Sequence, residues 1–205
     1  MRGFESPSLR HGAFWCIWAD DEGAMAARGV HFAITSEERD SLVACEGDEA
    51  RIDFVKSVIE PRWDKSYLCE TDKAWDAIHR SLGDFPPDTP EFYKSSFKDT
   101  PYALPEAHGS YPLKFCVLGG KRLIENEEWY FIRLIEPSEV VDIAVALNPI
   151  DRDWLHQKYF HHCKGAWPEY GEDDFAYTWE WFAYLREFFK RMAGNGRPVI
   201  FTADQ

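Results

Sequence analysis

A helix that is apolar on two sides has to be covered twice, so it constrains a fold more than any other element. The segment from Glu172 to Ala193 is such a helix. Phe175, Trp179, Phe182 and Phe189 recur at helical spacing and form one stripe, while Tyr177, Trp181, Tyr184 and Phe188 form another. A single buried face needs only the first. Two explanations stay open: a central helix covered on both sides, or a second side that meets a partner through Tyr and Trp, the usual interface anchors. Gly194-Asn195-Gly196 ends the helix, and Pro198 to Thr202 reads as a closing strand.

A second helix is legible around Glu70 to Gly83. Thr71 or Asp72 can cap it, because a short side-chain oxygen satisfies the orphan N–H groups of a first turn. Trp75, Ile78 and Leu82 form its apolar stripe, and Gly83 is a natural stop. Asp76 and Arg80 are spaced for a solvent-side ion pair. His79 falls at the border between stripe and polar face, within reach of Asp76, and Trp75 could stack a planar ligand.

The remaining elements follow in order. Val30 to Ile34 is β-rich and alternates, so a strand is expected there. Thr35-Ser36-Glu37-Glu38 has capping-box spacing and opens a short helix to about Ala44. Asp48 can cap the next helix, with Ile52, Val55 and Ile59 inward and Pro61 at its end. Asp84 to Pro112 holds six of the 12 prolines and no sustained period, which predicts a long loop draped over the core by its aromatic residues. Leu113 to Leu118 reads as a strand, Gly119-Gly120 as a turn, Lys121 to Ile124 as the return strand, and Trp129 to Ile135 as its continuation. Pro137 opens a helix with Val140, Ile143, Ala144 and Leu147 buried. Another runs from Arg152 to Cys163 with Trp154, Leu155 and Tyr159 inward. Strands in the middle and at both ends, with clustered helices between, predict an α+β single domain: a small, mostly antiparallel sheet packed by several helices.

Residues 1–29 differ from the rest. Gly3-Phe4-Glu5-Ser6 can be encoded by DNA containing TTCGAATC, a run typical of a tRNA T-arm. The expectation is a non-native leader from a misassigned start, with the native chain beginning near Met25 and the domain spanning 30–205.

Charge and motifs exclude more than they assign. A net charge of −13 argues against nucleic acid, which needs clustered Lys and Arg, and favours a protein partner with a basic surface. No apolar run approaches the ~20 residues that span a bilayer. Five Cys without a CxxC pair read as reduced thiols, which predicts a cytoplasmic protein. Gly119-Gly120-Lys121 lacks the spacing of a phosphate loop, and a strand rather than a helix is expected after it. His161-His162-Cys163 offers at most two ligands to one ion, so no metal or other cofactor is assigned. His79, Asp76 and His31 are the acid–base candidates; Trp75, Tyr177, Trp181 and Tyr184 are the binding candidates.

Several blocks carry a family likeness. They are Phe32-Ala33-Ile34-Thr35 with its acidic helix, Cys69 to Arg80, Val117-Leu118-Gly119-Gly120, Asp174 to Glu180, and Gly196 to Gln205. In combination they resemble the YfbM-like family of bacterial proteins, a domain of unknown function. The resemblance covers about Val30 to Gln205 and implies a compact α+β cytosolic domain with no established reaction. The leading functional expectation is a non-catalytic binding module, for example an immunity- or antitoxin-type inhibitor. The alternative is a small enzyme or ligand-binding domain acting on a planar metabolite, with His79 as acid or base in a pocket beside the His31 strand and the Pro-rich loop. Homo-oligomerisation stays open.

Overall fold

The computed structural model describes residues 28–83, 109–127, 130–163 and 170–204. Most of the leader, the Pro-rich stretch up to residue 108, and Trp129 lie outside these residues. Among them are five strands: β1 (Arg28–Ala33), β2 (Leu68–Asp72), β3 (Lys121–Arg122), β4 (Tyr130–Ile135) and β5 (Val199–Asp204). Six α-helices accompany them: α1 (Ser36–Ala44), α2 (Asp48–Phe54), α3 (Ala74–Leu82), α4 (Pro137–Leu147), α5 (Arg152–His162) and α6 (Glu172–Ala193). The strands form one antiparallel sheet in the order β2-β1-β5-β4-β3, which makes the domain α+β.

Successive strand residues point to opposite faces, and here both faces are covered. On one face Phe32, Ile34, Ile132, Leu134 and Ile200 pack against Leu42, Val55 and Ile59 from the α1–α2 side. On the other, Ala33, Phe131, Ile135, Val199, Phe201 and Ala203 pack against α3, α4, α5 and α6. A sheet covered twice explains why β4 is buried at all six positions instead of alternating. The long helix α6 runs over the second face, and Phe175, Phe182, Leu185 and Phe189 are fully buried there. Each such side chain contributes about 2 kcal/mol of transfer free energy.

Local chemistry accounts for several boundaries. The Thr35 hydroxyl accepts the Glu38 N–H at 3.2 Å while Glu38 Oε2 accepts the Thr35 N–H at 2.8 Å, the reciprocal capping box that the spacing predicts. Asp151 caps α5 through the Trp154 N–H at 2.8 Å.

Four expectations are corrected. Leu113–Cys116 is a 3-10 helix, not a strand, because Cys116, Val117 and Leu118 are all completely buried against the helix-covered face of the sheet. Thr71 and Asp72 end strand β2 rather than cap α3; the Thr71 hydroxyl donates to the Gly29 carbonyl at 3.0 Å, and the chain turns at Asp72 with φ 44°. Asp48 does not cap α2, whose N-cap is Gly47; its carboxylate instead accepts the Glu125 and Asn126 N–H groups at 2.8–3.0 Å, clipping α2 to the turn after β3. The Asp76–Arg80 pair forms at 2.8 Å, but its side chains are only 18% and 11% exposed, because α3 is covered on nearly all sides.

Candidate functional site

The aromatic side of α6 lies at the β2 edge of the sheet. The Tyr177 hydroxyl donates to Asp72 Oδ2 at 2.8 Å, which ties the helix to the strand end. Asp72 also meets Arg28, Oδ1 to Nε at 3.6 Å. Burial, then the Asp72 carboxylate, push the Tyr177 hydroxyl well above the usual phenol range, so it stays a hydrogen-bond donor. Trp181 stands 6.2 Å from Tyr177 and Tyr184 6.1 Å from Trp181, between ring centroids, giving a continuous aromatic line. Tyr177 and Trp181 are half-buried, and Tyr184 is 39% exposed. Asp173, Glu180 and Glu187 recur every seven residues along α6 and are all exposed, so an acidic stripe runs beside that line.

The acid–base candidates lie elsewhere. His31 is completely buried in β1, ringed by Phe188, Phe189 and Phe201. Its Nε2 is 2.8 Å from the Cys116 carbonyl, which can only accept, so Nε2 carries the proton. Its Nδ1 has no partner among the described residues. Burial pulls the imidazole down to about 4, opposed in part by the Cys116 bond, so it is neutral at pH 7. His79 is 1% exposed and Trp75 2% exposed; Trp75 packs against Phe131 and Phe201 rather than standing open to a ligand. His31, His79 and Trp75 therefore all belong to the helix-side interior, with Asp76 engaged by Arg80. Burial also raises the nearby thiols, Cys69 to about 12 and Cys116 well above the ordinary range, so neither is a thiolate near neutrality.

Sequence reasoning missed a buried ion pair. Arg133 is 2% exposed; its Nε donates to the Leu118 carbonyl at 2.8 Å, and both terminal nitrogens meet the Glu127 carboxylate. Cys69, His31, Phe201 and Arg133 stand in one row across the sheet. The two polar members of that row hydrogen-bond to carbonyls of the 113–118 segment. An arginine inside the apolar run Tyr130-Phe131-Ile132-Arg133-Leu134-Ile135 is the signal that could have revealed it.

Two open hollows border the β3 edge, and neither is lined by His31, His79 or Trp75. One, of about 350 Å³, is lined by Arg51, Arg122, Leu123, Ile124 and Glu125. The other, of about 410 Å³, lies against Gly119 and Gly120. Among the described residues no group of three or more His, Cys, Asp or Glu is placed to hold a metal, and no helix is long and apolar enough to cross a membrane.

With this geometry in place, comparison with known proteins is informative about fold and family. The family model described as a domain of unknown function (DUF1877) matches residues 25–202. The crystal structure of YfbM from Escherichia coli, a protein of unknown function, aligns with a TM-score of 0.56 at 19% identity, covering 86% of this chain and 99% of that one. At that identity the likeness is one of fold. No curated protein matches the chain.

Proposed function

The chain belongs to the DUF1877 family of domains of unknown function, and from that premise we propose that it is a non-catalytic protein-binding module with a basic partner. The observation that carries this reading is the aromatic line Tyr177–Trp181–Tyr184 flanked by the acidic stripe Asp173–Glu180–Glu187, on a chain of net charge −13. Tyr and Trp supply apolar contact area with a polar tip, the usual anchors of an interface. Acidic residues beside them steer a cationic surface into register and speed its association. An immunity- or antitoxin-type inhibitor that neutralises a basic toxin surface is one concrete form. The competing reading, a small enzyme acting on a planar metabolite with His79 as acid or base, has its main residues inside the core, where no substrate reaches them without opening the fold.

A photocrosslinking amino acid at position 184, expressed in the native host, would identify the partner. Binding of that purified partner is then compared for wild type, Tyr184→Ala and Glu180→Lys. Loss of tenfold or more in affinity with Tyr184→Ala, and a slower, less salt-sensitive association with Glu180→Lys, supports the reading. Unchanged binding in both variants, or a turnover that His79→Ala abolishes in a folded protein, overturns it.

A further inference from the structure

The outward side of α6 carries a second pattern besides its aromatic line. Asp173, Tyr177, Glu180, Tyr184, Glu187 and Arg191 follow one another at intervals of four, three, four, three and four residues. A repeat averaging 3.5 residues keeps one seam of a helix turned toward a neighbouring helix along its length. Tyr177 is half-buried and the other five are exposed, so the seam faces outward. We propose that this seam is covered by the same seam of a second copy of the chain, in an antiparallel, two-fold symmetric pair of α6 helices that masks Trp181 and Tyr184 until a partner displaces it. The masking rests on the aromatic line being a binding surface; the self-association does not.

Charge selects both the occupant and its direction. The seam is acidic at 173, 180 and 187 and basic at 191. A parallel copy would set Asp173, Glu180 and Glu187 each against its own like, three repulsive layers in a row. Reversing the copy removes all three. The run from 173 to 191 is centred on position 182, and a two-fold axis there sets Asp173 against Arg191, Tyr177 against Glu187 and Glu180 against Tyr184, each twice. No carboxylate then opposes another: Asp173 meets a guanidinium, and Glu180 meets a phenol that can donate to it. The side chains of Asp173, Glu180 and Arg191 enter no hydrogen bond or ion pair among the described residues, so all three are available to the second copy. Glu187 has Lys190 beside it, Oε2 to Nζ at 4.0 Å, which offsets its charge. On the flanks the same axis sets Trp181 against Ala183, whose methyl group leaves room for the indole. The helix macrodipole accounts for acid in the first turn and base in the last, but its influence fades within a turn. It does not account for Glu180 and Glu187 falling where the reversed seam presents tyrosines.

The test uses the purified full chain alone, so that no other protein enters the result. Sedimentation velocity at about 0.15 M salt, where the long-range repulsion between two chains of net charge −13 is screened, should show a monomer passing to a dimer as concentration rises toward about 1 mM. Arg191→Glu, which sets a carboxylate against Asp173, should weaken the dimer tenfold or more, and Asp173→Lys combined with Arg191→Glu should restore it to within about threefold of wild type. Both positions are exposed, and an unchanged circular dichroism spectrum checks that the variants fold. A photocrosslinking amino acid at position 184 should give an adduct of twice the chain mass, mapping to residues 177–187 of the second copy. A chain that stays monomeric to about 1 mM, a dimer unmoved by Arg191→Glu, no rescue by the charge swap, or an adduct mapping to another surface overturns the proposal. None of these results bears on capture of a different protein at position 184 in the host, so the two readings fail separately.

Discussion

Lowering the pH from 7.5 to 4.5 protonates His31 in the unfolded chain far more than in the native one. Burial holds the native imidazole at about 4, against an ordinary value of 6.5. The unfolded state therefore binds more protons as the solution is acidified, and stability falls. The contribution is complete above pH 6.5, is lost between 6.5 and about 4, and changes no further below that. At pH 4.5 an unfolded histidine is almost fully charged while the native one is about one quarter charged. The difference amounts to about 2.5 kcal/mol, with a slope of at most about 1.4 kcal/mol per pH unit. Urea denaturation of wild type and His31→Gln across this range isolates the term, because the carboxylates titrate alike in both. The glutamine amide can still donate to the Cys116 carbonyl but carries no titrating proton. The stability difference should move by about 2.5 kcal/mol in favour of the variant as pH falls to 4.5. Parallel pH profiles would refute the account of His31 as a histidine buried neutral.

Two further outcomes are expected from the same face of the fold. Glu127→Ala removes the carboxylate that meets both terminal nitrogens of the buried Arg133 guanidinium and should cost about 3 kcal/mol in denaturant unfolding. The double variant Glu127→Leu with Arg133→Met should recover much of that loss, and failure to recover any of it would count against the pair as the cause. Gly119→Ala forces a methyl group against the Lys114 carbonyl oxygen and should destabilise by about 2 kcal/mol, read as a thermal midpoint about 4–8 °C lower.

Sequence alone determined the elements whose causes are local. The capping box at Thr35 and Glu38 lies within four residues, and α6 carries its own apolar stripe and its own glycine stop, so both are found where the pattern puts them. The β-rich runs of β1, β4 and β5 were legible for the same reason. The tertiary structure decided everything that depends on a distant partner. Leu113–Leu118 has the composition of a strand, yet it lies across the sheet face, where its Cys116 and Leu118 carbonyls receive the buried His31 and Arg133 side chains. No local rule encodes that exchange, because the paired residues are 85 and 15 positions apart and each side is costly to bury without the other. The same holds for function. The stretch around His79 and Trp75 looked amphipathic in isolation, and only the helices packed around α3 turned its polar border into interior. The hollow beside Gly119 likewise draws Lys114, Lys121 and Glu139 from a 3-10 helix, a strand and the first turn of α4, which are brought together only when the chain has folded.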